Sequence, residues 1–147
     1  MPPRLTFLRA PALILVAGLL TCIAGCGGST SKLIPVKGKV TVNGQPLASG
    51  TVMFHPDESK GNTAKLPIPP VGPIKDGEYS LATGKSEGAP AGWYKVIVTA
   101  NVPSNPKDEY SEPRSLINPI YNQLYSTTLS VEVKPDPGPG AYDLPLK

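Results

Sequence analysis

The chain has 147 residues, a formal net charge of +3, 19 prolines, 15 glycines, two cysteines and one histidine. That length holds one domain, and so few Cys and His residues rule out a multi-cysteine zinc site or a disulfide scaffold. Of the 14 basic residues, Arg4 and Arg9 stand in a leader-like segment; the remaining 12 face 11 acidic residues, and that balance argues against a nucleic-acid partner, which needs a basic stripe.

In chain order, Met1 to Arg9 carries two arginines and no acid, and residues 10–24 carry no charge, with Leu13-Ile14-Leu15-Val16 at their centre. The uncharged run is short of the roughly 20 apolar residues a spanning helix needs and fits the apolar region of a secretory signal. It ends in Ile23-Ala24-Gly25-Cys26, which resembles a bacterial lipobox. The resemblance implies cleavage before Cys26 and acylation of its thiol. Residues 1–25 then form a signal peptide, residues 26–33 a flexible tether opening with Gly27-Gly28-Ser29-Thr30-Ser31, and residues 34–147 the folded domain. The membrane is the partner this implies, since each buried CH₂ of an acyl chain contributes about 0.8 kcal/mol. Two alternatives are a plain signal peptide and an uncleaved anchor, with Cys26 an incidental thiol. Cys22, with Thr21 before it, is a poorer lipobox. No Asp follows Cys26, so the expected destination is the outer membrane or cell surface, or alternatively a periplasm-facing leaflet.

Beyond residue 31 no window sustains a helical period, and period-2 alternation recurs. Val36, Gly38, Val40 and Val42 alternate with Lys37, Lys39 and Thr41, and Asn43-Gly44 signals a tight hairpin turn. Thr51–His55 reads as a second strand with Val52 and Phe54 inward. Asp76-Gly77 marks another turn, leading into a strand 78–82 with Tyr79 and Leu81 inward. The longest strand spans 92–100 with Tyr94, Val96, Val98 and Ala100 on one face; Leu129, Val131 and Val133 form a further one, and Tyr142, Leu144 and Leu146 close the chain. A seventh strand is expected near 45–47 or 65–68. One apolar face per strand predicts a two-sheet antiparallel β-sandwich. Two proline-rich segments, 56–73 and 101–126, read as long irregular loops. The second carries Tyr110, Tyr121 and Tyr125, candidate ligand-binding residues because aromatic faces stack on sugar rings. The alternative is that Tyr121 and Tyr125 merely pack the loop down. Pro135 to Gly140 reads as a rigid connection between the last two strands.

The run Val36 to Leu47, continuing through Gly44-Gln45-Pro46-Leu47-Ala48-Ser49-Gly50-Thr51-Val52, resembles the opening of a carboxypeptidase regulatory-like (transthyretin-like) domain. Asp76-Gly77-Glu78-Tyr79-Ser80-Leu81 and Gly92-Trp93-Tyr94-Lys95-Val96-Ile97-Val98 resemble its later motifs. The stretch from Ile120 to Val133 is similar to small lipoproteins abundant in planctomycete bacteria. The resemblance covers residues 34–147 and implies a seven-stranded, antiparallel Greek-key sandwich of the prealbumin type. It implies no peptidase activity, because in carboxypeptidases this module follows a separate zinc domain.

Catalytic groups are sparse. A Ser-His or Cys-His pair would have to use His55, at a strand end and expected to face outward. Asp57-Glu58 and Asp108-Glu109 with Glu112 sit on proline-rich loops and read as solvated acids rather than a glycosidase pair or a calcium site. Hydroxyisourate hydrolases share the transthyretin fold, but they depend on several histidines and a Tyr-Arg-Gly-Ser ending; this chain has one His and ends Tyr142-Asp143-Leu144-Pro145-Leu146-Lys147. The expectation is therefore a non-enzymatic, lipid-anchored β-sandwich with no cofactor and no metal. It would act in envelope structure, adhesion or ligand presentation, with an envelope protein or glycan as partner. The alternative is a carbohydrate- or peptide-binding accessory module using segment 101–126.

Overall fold

A computed structural model describes residues 32–147. Strand β1 (Leu33–Ile34) leads into β2 (Lys37–Val42), and the short β3 (Gln45–Pro46) follows before β4 (Ser49–Pro56). Next come β5 (Val71–Lys75), β6 (Glu78–Ser80), β7 (Ala82–Thr83), β8 (Ser86–Glu87) and β9 (Ala89–Pro90). The long β10 (Gly92–Thr99) precedes β11 (Asn101–Asn105), β12 (Asp108–Ser115), β13 (Ser130–Val133) and β14 (Leu144–Leu146). Helical structure among the described residues amounts to two 3-10 turns, Glu58–Lys60 and Pro119–Asn122.

Turn chemistry sets the first registers. Asn43 (φ 49°) with Gly44 (φ 83°), and Asp76 (φ 50°) with Gly77 (φ 80°), each place two successive residues in the left-handed region. Tight β2–β3 and β5–β6 turns need that geometry, and Asn-Gly and Asp-Gly tolerate it best. The main sheet then runs β13-β10-β4-β5-β6-β2-β14 and curls into a half-barrel. Its concave face collects Val40, Val52, Phe54, Tyr94, Val96 and Val98, all fully buried. The Phe54 ring lies 5.6 Å from Tyr94 and 6.5 Å from Tyr79, tilted against both, and so ties β4 to β10 on one side and to β6 on the other. The buried phenols are satisfied: Tyr79 donates to the Tyr142 carbonyl at 2.7 Å and Tyr94 to the Pro90 carbonyl at 2.8 Å.

The all-β architecture expected from the alternation holds, and several details differ. β14 runs parallel to β2, with Leu144 opposite Val40 and Leu146 opposite Val42, so the sheet is not wholly antiparallel. The residues between β13 and β14 carry the chain back to the level of Gly38, where a Cβ would run into the Tyr142 carbonyl. Segment 56–73 is not all loop, because Val71–Lys75 pairs with β4 through Met53–Val71 and Ser49–Lys75. Half of segment 101–126 is the ribbon β11–β12, with Pro103 facing Pro113. The strand expected over 78–82 breaks at Leu81, whose N–H turns to the Val36 carbonyl. The extra short strand is Gln45–Pro46; residues 65–68 form none.

The registers give the body two ends. Gly92, Lys37, Pro56 and Val133 gather at one, beside the β1–β9 pair. Thr99, Thr51, Lys75 and Val42 gather at the other. The β11–β12 ribbon leaves from this second end and returns through the Leu116 N–H to Ala100 carbonyl bond at 2.8 Å.

Candidate functional site

The three tyrosines of segment 101–126 do not form one surface. Tyr110 follows the ribbon's turn and is 96% exposed, and Tyr125 is 85% exposed. Tyr121 is buried in the core cluster, where its hydroxyl accepts from the Lys147 N–H at 3.2 Å. Asn118 caps the 3-10 turn that inserts Tyr121, accepting from the Ile120 N–H at 3.1 Å. The ribbon's tip is braced locally: Asn105 Oδ1 accepts from the Lys107 N–H at 3.1 Å and Asp108 Oδ1 from the Tyr110 N–H at 3.0 Å. Beside Tyr125, the Ser126 hydroxyl donates to the Ile120 carbonyl at 2.9 Å and Thr127 Oγ1 to the Val96 carbonyl at 2.6 Å. Both exposed rings therefore sit on anchored backbone, which lowers the entropy lost when a ring stacks on a ligand.

The candidate catalytic groups have other partners. His55 is half-buried on the outer face of β4, and its Nε2 lies 3.1 Å from Met53 Sδ. Desolvation lowers its pKa below the ordinary histidine value. Asp57, expected to be solvated, is 3% exposed. Its Oδ1 accepts from the Ser59 hydroxyl at 2.6 Å and the Ser59 N–H at 3.2 Å, capping the Glu58–Lys60 turn. The Ser59 hydroxyl is the first reason its pKa falls below the usual carboxylate value, and burial opposes the fall. The same corner holds Trp93: Lys60 Nζ sits 3.9 Å from the ring centroid and donates to Ser130 Oγ at 2.7 Å, while Asn62 donates to the Trp93 carbonyl at 2.8 Å. Asp57 is thus a structural cap. Among the described residues no three His, Cys, Asp or Glu side chains group to hold a metal.

Two grooves remain. One, of about 680 Å³, crosses the outer face of β2, β5 and β6 and carries Lys37, Lys39, Lys75, Glu78 and Asp143. Glu78 stands opposite both Lys39 and Lys75 in register, and Asp143 accepts from the Lys39 N–H at 2.9 Å. The alternation of Lys37 and Lys39 with inward neighbours was the available sequence signal; their meeting with Lys75 depends on strand order. The second groove, of about 510 Å³, lies at the end of the body where the chain enters, between Leu33, Pro35, Ala64, Pro90, Ala91 and Pro135. Cys26 and the signal segment fall outside the described residues, and no helix among the described residues is long and apolar enough to cross a membrane. No protein-family model, curated protein or solved structure matches the chain.

Proposed function

We propose that the protein is an exported, non-enzymatic lipoprotein, moored through acylated Cys26 and acting in envelope structure, adhesion or ligand presentation. The observation that carries this reading is the ordered leader: two arginines, an uncharged run and Ile23-Ala24-Gly25 directly before Cys26. An all-β body following a short Gly/Ser segment suits display. The engagement of His55 with Met53, and of Asp57 with Ser59, takes the candidate catalytic groups into structural contacts. We assign the body to a prealbumin-type Greek-key sandwich of the carboxypeptidase regulatory-like kind, on the motifs around Asn43-Gly44, Asp76-Gly77 and Gly92–Val98. Cys26→Ala should move the protein from the membrane fraction to the soluble fraction of its host and abolish incorporation of labelled fatty acid. Unchanged retention of the variant in the membrane would sink the anchoring.

Tyr110 favours a second reading, a carbohydrate- or peptide-binding module, because its ring, 96% exposed on a braced turn, offers an open aromatic face to a ligand. Tyr110 and Tyr125 would supply the stacking faces, and Tyr121 would hold the segment. Calorimetric titration with oligosaccharides and proline-rich peptides tests it. Heat of binding lost in Tyr110→Ala supports this reading, and no binding by the unaltered protein removes it.

A further inference from the structure

Taking the lipid-anchored reading as its premise, we propose that the apolar groove at the chain's entry end lies against the lipid headgroup surface and that the β11–β12 ribbon points away from it. The length of the leash carries the first half. Five residues, 27–31, separate Cys26 from Lys32. Six Cα–Cα steps at no more than about 3.6 Å each keep Lys32 within roughly 22 Å of an acylated Cys26. Lys32 and Leu33 themselves line the groove, so this face is the part of the body held nearest the bilayer. Its chemistry suits that place. Leu33 is half-exposed, and Pro35, Ala64, Ala91 and Pro135 are exposed, which gives a surface of short apolar side chains able to rest at the headgroup level. Lys32 stands at its edge and Lys65 follows Ala64 in the chain, offering cations to anionic phosphates. Lys134 lies next to Pro135 and pairs with Glu132 at 3.7 Å.

Strand direction carries the second half. Gly92 follows the groove residues Pro90 and Ala91, and β10 runs from there to Thr99, where the ribbon departs. Eight residues of strand span about 26 Å. With the groove against the membrane, the ribbon and Tyr110 stand at the distal end, beyond the full length of the body. The lysine-bearing groove on the outer face of β2, β5 and β6 then opens sideways.

The test uses the mature lipoprotein in vesicles of phosphatidylethanolamine and phosphatidylglycerol. Removal of Cys22 with the signal and acylation of Cys26 leave no other thiol. Ala91→Cys, Pro135→Cys and Lys107→Cys therefore each give one labelling site, all three exposed. Fluorophores at positions 91 and 135 should be quenched several-fold more strongly than one at 107 by nitroxide-headgroup lipid, and shielded from iodide. Circular dichroism confirms that each variant folds. Equal quenching at all three sites, with acylation verified by mass spectrometry, overturns the orientation and leaves the anchor standing. Equal iodide shielding at 91 and 135 in a form expressed without residues 1–26 and without vesicles also overturns it, because protein would then cover the groove. An unmodified Cys26 removes the anchor and the orientation together.

Discussion

Strands β10 and β12 are equally long, eight residues each, and differ in almost everything that stabilises a strand. β10 pairs on both sides, with β4 and β13, and buries Tyr94, Val96 and Val98 completely. Among the described residues β12 pairs only with β11, and none of its described side chains is buried. Fully burying one large apolar side chain contributes about 1.5–3 kcal/mol, whereas an isolated two-stranded ribbon is marginal in water. Backbone pairing shapes both regions, but burial holds only the first. The body should therefore melt as one unit, and the ribbon should be free to change without cost to it.

The largest break in that contrast is Phe54→Ala. It removes the ring between Tyr79 and Tyr94 and should cost about 3–5 kcal/mol, read as a lowered urea midpoint; a loss under 1 kcal/mol would mean the curled sheet does not depend on this contact. Next, Gly38→Ala pushes a methyl into the Tyr142 carbonyl and should cost about 1–3 kcal/mol by overpacking, measured in the same melts.

Tyr79→Phe should follow at about 1–3 kcal/mol, since it leaves the Tyr142 carbonyl without its donor. It also carries a pH signature. Burial is the main reason the Tyr79 phenol is pushed well above its ordinary value, with the charge of Asp143 adding to it, and burial likewise raises Tyr94. A proton held more tightly in the folded state stabilises fully below the unfolded value of about 10 and less as pH rises through the folded value. Stability should therefore fall above about pH 10, and less steeply in Tyr79→Phe than in the unaltered protein; equal slopes would deny the phenol this role. The smallest effect belongs to the ribbon. Replacing 101–115 by a short glycine-containing turn should shift the body's stability by less than about 1 kcal/mol. A greater loss would show that the ribbon braces the body.

Much of the body was legible because burial writes a period of two into the sequence. Tyr94-x-Val96-x-Val98 and Val131-x-Val133 each have one dry face, so each alternates. β5 was hidden because its inward positions are Gly72 and Ile74 with Pro73 between them, a pattern that reads as a proline-rich loop. The ribbon was hidden for the opposite reason: with no dry face its residues have nothing to alternate about, and Pro103 and Pro113 resemble breakers. Tyr121 and Tyr125 sit four positions apart with nothing in their composition to separate them. Only the Asn118 cap and the packing of the 3-10 turn send the first inward. Asp57 was misread for a similar reason, since an acid in a proline-rich stretch is usually solvated and only the Ser59 contacts make it a cap.

The sequence by itself determined the all-β class, the two left-handed turns and the inward faces of the central strands, because each depends on residues within a few positions of one another. The tertiary structure alone decided that β14 joins β2 in parallel, that Lys37, Lys39 and Lys75 share a groove with Glu78, and that the chain's entry and the Tyr110 ribbon lie at opposite ends. Those arrangements join segments tens of residues apart, so they follow from which strands pair across the sheet rather than from any local preference.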